Sequence, residues 1–184
     1  MNLGEYIVST LINQGIKHIF GIPGNQLTPM LESLYFHRDK ISFIDCRNEA
    51  GASLMAEGYA KVSGKVSVCM VSPGPGAANT YIGVLEAYTS CSPLLLITVR
   101  GNAEYDNKGE DRLFHGLNHL EAFKAITKDQ IRLRETSEAY SVMRKIFRQL
   151  TTGRPGPVLL EIQGGILDID IDEYIPTKFC QANC

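Results

Sequence analysis

In the stretch CRNEAGASLMAEGYAKVSG (46–64) a carboxylate, Glu49, stands between the apolar run FID and a series of Ala, Gly and Ser residues. An acid there has two readings. One is local: a carboxylate in the first turn of a helix is stabilised by the macrodipole, worth on the order of 0.3–1 kcal/mol. The other is acid–base chemistry, which needs a carboxyl beside a reacting group, and the small residues behind it let a ligand or partner surface come close. His115, in LFHGLNHL, is the second candidate, with an ordinary loop histidine as its plainer reading. His18 and His37 read as the start of a strand and the end of a helix.

Two glycine-rich turns surround these groups. GIPGNQ (21–26) is not GxGxxG, because Pro23 occupies the middle of the turn and the third glycine is missing, so a dinucleotide site is poorly supported. SPGPGAAN (72–79) interleaves prolines with glycines, which makes a stiff turn with few unfolded conformations to lose. Ala77 and Ala78 then keep the first helical turn thin, so something packs against it. No Lys-Ser/Thr pair follows, which excludes a Walker phosphate loop.

The elements that must position these residues follow from the spacing of apolar side chains. Leu3, Ile7, Val8, Leu11 and Ile12 recur at helical intervals, and Gly15 supplies a stop. HIFGIPG, ISFIDC, VSVCMV, PLLLITV, IRLRE and the end of GRPGPVLLEI read as strands. Leu27, Met30, Leu31 and Leu34 mark a second helix, and Asn48 is the expected N-cap of a third. One helix is expected through AANTYIGVLEAYTS, a modest one through HLEAFKAIT, and a strongly amphipathic one on Ala139, Val142, Met143, Ile146, Phe147 and Leu150. Strands that alternate with helices and carry continuous apolar runs predict an α/β fold with a mostly parallel sheet covered on both faces. In such sheets ligands bind beyond the carboxyl ends of the strands. The polar loop RGNAEYDNKGEDR falls at one such end, and the segment after Gly165 reads as acidic and peripheral or extended.

With 184 residues the chain suits one domain with one substantial core. Its net charge of −2, with Lys and Arg scattered, leaves no footprint for nucleic acid. No apolar run is long enough for a membrane span. Cys46, Cys69, Cys91, Cys180 and Cys184 form no CxxC pair and leave an odd thiol, which predicts a reducing cytoplasm and no metal site.

In order and spacing, GIKHIFGIPGNQLTPMLESL, the long stretch from RNEAG to LLLITV, and TTGRPGPVLLEI resemble the pyrimidine-binding domain of thiamine-diphosphate-dependent enzymes of the acetolactate synthase and pyruvate decarboxylase superfamily. The resemblance covers residues 1–166 and leaves 167–184 as a tail or linker. It implies a Rossmann-like, three-layer α/β/α fold with a roughly six-stranded sheet. It also implies that Glu49 meets ring N1′ of the cofactor's aminopyrimidine, so that the exocyclic amine can take the proton from the thiazolium C2. Pro23, Gly24 and Asn25 would line the substrate side of the thiazolium. Ser72, Pro73 and Gly74 would border the pyrimidine, with Asn79 nearby.

Two departures from the family pattern stand out. Phe114-His115-Gly116 replaces the Phe-Gln-Glu usual in acetolactate synthases, which makes His115 a candidate acid–base or substrate-binding group. The Gly-Asp-Gly motif that holds Mg²⁺ and the diphosphate does not occur. The resemblance therefore implies thiamine diphosphate bound at its pyrimidine end only, with Mg²⁺ supplied by a separate diphosphate-binding chain in a homodimer or α2β2 assembly. The substrate would be a 2-oxo acid. The rival readings are a non-catalytic homologue that kept the fold and a piece of a longer enzyme.

Overall fold

The computed structural model describes residues 1–102, 115–171 and 179. Phe114, most of the polar loop, Cys180 and Cys184 lie outside the described residues. The elements run α1 (Leu3–Asn13), β1 (His18–Gly21), α2 (Thr28–Phe36), β2 (Ser42–Asp45), α3 (Glu49–Ser63), β3 (Ser67–Met70) and α4 (Pro75–Asn79). They continue with α5 (Tyr81–Thr89), β4 (Leu94–Asn102), α6 (His119–Phe123), β5 (Asp129–Leu133), α7 (Ala139–Thr151) and β6 (Val158–Gly164). The six strands form one sheet in the order β2-β1-β3-β4-β6-β5. Every pairing between them is parallel.

Burial on both faces explains the continuous apolar runs. Successive strand residues point to opposite sides, so Ile19, Val68, Leu95, Ile97 and Leu160 join one core with Leu11 and Ile146. Phe20, Cys69, Leu96 and Leu159 join the other with Ala52 and Val84. The result is the three-layer α/β/α arrangement expected from the pattern. Burial raises the Cys69 thiol pKa far above its ordinary value, with Cys46 and Glu49 adding to the effect, so Cys69 acts as a small apolar side chain.

The helix ends follow local chemistry. Asn2 accepts from the Glu5 N–H at 2.8 Å, and Asn48 accepts from the Gly51 N–H at 2.6 Å, the cap expected for α3. At the other end of α1 the Gly15 and Ile16 N–H groups donate to the Ile12 and Leu11 carbonyls, a Schellman-type stop.

Two expectations need correction. The helix expected through 77–90 starts earlier, at Pro75, and breaks at Thr80. There the buried Thr80 hydroxyl donates to the Ala77 carbonyl at 2.6 Å and competes with the helical ladder. The described residues after Gly165 are anchored, not peripheral: Leu167, Ile171 and Phe179 are buried. Its carbonyls at Ile169 and Leu167 accept the Leu3 and Gly4 N–H groups, both at 3.0 Å. Those donors at the start of α1 have no partner within the helix, so the segment completes the α1 cap.

Leu96 is 0% exposed, in the first half of the central strand β4. Leu96→Ala is expected to lower unfolding free energy by about 2–5 kcal/mol. Val62→Ala, at a side chain 90% exposed, should stay within about 0.5 kcal/mol of the unsubstituted chain. Urea denaturation of both variants measures the difference.

Candidate functional site

Because all the strands run parallel, the loops after β1, β2 and β3 emerge at one edge of the sheet. The chain passes from β1 outward to β2, then crosses back through α3 to β3 on the other side of β1. The strand ends at such a reversal are the usual ligand position in folds of this kind. The loop after β1 contributes Pro23, Gly24 and Asn25. Glu49 opens α3 after β2, and Ser72 to Asn79 follow β3.

Three of these segments meet. Glu49, the first residue of α3, is half-buried, and its Oε2 accepts a hydrogen bond from Asn79 Nδ2 at 3.0 Å. The bond joins the N-terminus of α3 to the C-terminal end of α4 and fixes the carboxylate plane. The backbone around it is thin. A Cβ at Gly76 would lie 3.5 Å from Glu49 Oε1 and 3.3 Å from Ser72 Cβ. A Cβ at Gly24 would collide with Ser72 Oγ and lie 3.3 Å from Ser72 Cβ, so the loops after β1 and β3 are in close contact there and a larger residue 24 would turn the Ser72 side chain away.

Gly74 adopts φ +61°, ψ −114°, a backbone conformation that suits glycine alone. A Cβ there would stand 2.5 Å from the His115 carbonyl oxygen. His115 therefore meets this edge through its backbone. Its own φ is +64°, unusual outside glycine. His115, Pro73 and Asn25 share the wall of a neighbouring cavity of about 420 Å³ with Arg100 and Asp168. Thus Glu49, Asn79, Ser72, Gly24 and Gly76 form one cluster, and His115, Asn25 and Pro73 line the adjoining space. Pro23 and Asn25 are exposed at the rim. His18 starts β1 and His37 caps α2, as expected.

A family model described as "Thiamine pyrophosphate enzyme, N-terminal TPP binding domain" matches residues 1–133, which contain the whole cluster. This chain belongs to that thiamine pyrophosphate enzyme family. Among its curated relatives, the probable acetolactate synthase large subunit of Methanocaldococcus jannaschii is 35% identical over 181 residues, 97% of this chain and 30% of that protein. The acetolactate synthase large subunit of Lactococcus lactis is 34% identical, over 92% of this chain and 29% of that protein. The acetolactate synthase isozyme 2 large subunit of Escherichia coli is 34% identical, over 88% of this chain and 29% of that protein. The chain thus spans about 30% of the length of these relatives.

In this family member, sequence reading passed over a buried group. His119, 1% exposed, accepts the Gly74 N–H at its Nε2 (2.9 Å), and its Nδ1 lies 2.7 Å from Glu161 Oε1. Since Nε2 accepts, the ring proton sits on Nδ1 and is donated to the carboxylate. Arg132 Nε donates to the other oxygen, Glu161 Oε2. A signal was present, because an acid inside the apolar strand PVLLEI must find a donor. Sequence alone could not say that the donors come from α6 and β5.

Burial pushes the Glu161 pKa up, but the His119 and Arg132 donors more than reverse this and hold it below the usual carboxylate range. A carboxyl lowered in the fold contributes stability above its unfolded pKa and loses it as pH falls through its folded one. Unfolding free energy should therefore drop as pH falls below ~4. Glu161→Gln should cost on the order of 1–3 kcal/mol at pH 7 and flatten that acid limb. Urea titrations at several pH values provide the check.

Proposed function

We propose that this chain is the pyrimidine-binding portion of a thiamine-diphosphate-dependent 2-oxo acid decarboxylase or carboligase, in which Glu49 meets the aminopyrimidine ring. The observation that carries this reading is the Glu49 carboxylate, bonded to Asn79 at the carboxyl ends of the strands, with the bare backbone of Gly76 beside its Oε1. The residues fit a flat heteroaromatic ring. The thin edges admit its approach, and a carboxyl is the group that can share a proton with a ring nitrogen. When bound, thiamine diphosphate supplies a carbon nucleophile and an electron sink for the bond broken in the 2-oxo acid.

Each residue then has a defined task. Glu49 holds or receives the proton at ring N1′, and Asn79 keeps Oε2 engaged so that the carboxyl presents one orientation. Ser72, Pro73 and Gly74 border the ring, while Pro23, Gly24 and Asn25 line the side where substrate enters. His115 acts on the substrate from the adjoining cavity, as an acid–base group or by binding its carboxylate.

The 184 residues contain no Gly-Asp-Gly run. In this reading Mg²⁺ and the diphosphate are held by a diphosphate-binding domain outside these 184 residues, and activity requires that domain in a homodimer or α2β2 assembly. An apolar strip on the adjacent helices α3 and α5 supports such docking: Leu54, Met55, Tyr81, Ile82 and Leu85 are all exposed. Among the described residues no helix is long and apolar enough to cross a membrane.

Mixing the chain with its diphosphate-binding partner, thiamine diphosphate and Mg²⁺ should give 2-oxo acid turnover. Glu49→Gln is expected to reduce kcat at least about 10²-fold, and undiminished activity would exclude the N1′ role. His115→Gln is expected to lower turnover by about tenfold or more, and full turnover would remove His115 from the reaction.

A further inference from the structure

Gly74 carries more of the site than its size suggests. It is the N-cap of α4, a helix of five residues with no side-chain cap at its start. So short a helix holds no orientation by itself. Its far end runs through Thr80 into α5 and Ala77 packs in the core, so the turn that precedes it fixes the remaining end of α4. The turn is held from outside: the Gly74 N–H ends on the His119 imidazole, and its carbonyl accepts the Ala78 N–H at 2.8 Å. At the far end of α4, Asn79 donates to Glu49.

Behind His119 the chain of bonds continues through Glu161 on β6 to Arg132 on β5. Glu161 is 0% exposed and Arg132 largely covered. The carboxylate accepts only, so it requires the imidazole proton on Nδ1 and leaves the Nε2 lone pair aimed at Gly74. Without that acceptor the Gly74 donor would be buried and unpaired.

We propose that His119 is a positioning residue: as a neutral imidazole it accepts the Gly74 N–H, fixes the turn after β3, and so directs α4, with Asn79 and Gly76, onto Glu49. This rests on the cofactor reading above, but it concerns a group that does not touch the cofactor. The line Arg132–Glu161–His119–Gly74–Asn79–Glu49 connects an edge strand to the acid across the sheet.

The test uses the full chain, ¹⁵N-labelled, and three variants: His119→Leu, which fills the space without an acceptor; His119→Gln, whose amide oxygen can replace Nε2; and Glu49→Gln. NMR should show a through-hydrogen-bond coupling between the Gly74 amide and His119 Nε2, with the ring proton on Nδ1. A proton on Nε2 would overturn the proposal. In His119→Leu the Gly74 and Asn79 amide resonances should shift while α1 and α7 resonances stay in place. Thiamine diphosphate with Mg²⁺ is then titrated into each chain assembled with its diphosphate-binding partner. His119→Leu should weaken apparent binding about tenfold, and His119→Gln should restore it to within about threefold.

Unchanged binding in His119→Leu while Glu49→Gln binds poorly would overturn the positioning role. So would a His119→Gln chain that is folded and as defective as His119→Leu. If Glu49→Gln binds normally while the Gly74–His119 coupling is present, the cofactor reading fails instead. Should His119→Leu not fold, the coupling and the Gln variant still decide the matter.

Discussion

The backbone at Gly74 is confined on two sides at once. The His115 carbonyl leaves no room for a Cβ, and the His119 ring claims its N–H. That confinement sets where the chain goes after β3 and hence where α4 delivers Asn79. Glu49 depends on the outcome, because Asn79 holds one of its two oxygens. The site is therefore less a pocket filled with side chains than a place where main chain from several loops is forced close together.

Such closeness needs rigid support, and the parallel sheet provides it. β3 and β4 are buried on both faces, so the loops that leave their ends begin from fixed points. The cost is a carboxylate in the middle of β6. Glu161 sits where its neighbours are Leu160 and Ile162, and it is tolerated because two donors converge on it. A buried charge of this kind links distant elements more specifically than another leucine would, since it accepts only partners that bring protons.

The family assignment and the geometry bear on different questions. Similarity over nearly the whole chain to acetolactate synthase large subunits identifies the kind of domain. The geometry adds that His115 lines a cavity shared with Asn25 and Pro73, from the loops after β1 and β3. Leu54, Met55, Tyr81, Ile82 and Leu85 are exposed on α3 and α5, the helix that Glu49 opens and the one that follows Asn79.

Much of this was legible in the amino-acid order. Continuous apolar runs implied a doubly covered parallel sheet, Asn48 announced its own helix, and the glycines at 24, 74 and 76 marked turns that a ligand could approach. These are local properties, decided by residues within one turn or one strand of each other. The strand order was not local, nor was the break at Thr80, where a hydroxyl outcompetes the helical ladder only because the site is buried. The anchoring of 167–171 onto α1 likewise joins opposite ends of the chain. His119, Glu161 and Arg132 lie on three separate elements, and nothing in their spacing pairs them. Only folding brings a histidine lone pair, a carboxylate and a guanidinium into line behind Gly74, because hydrogen bonding is decided by distance in space and not by distance along the chain.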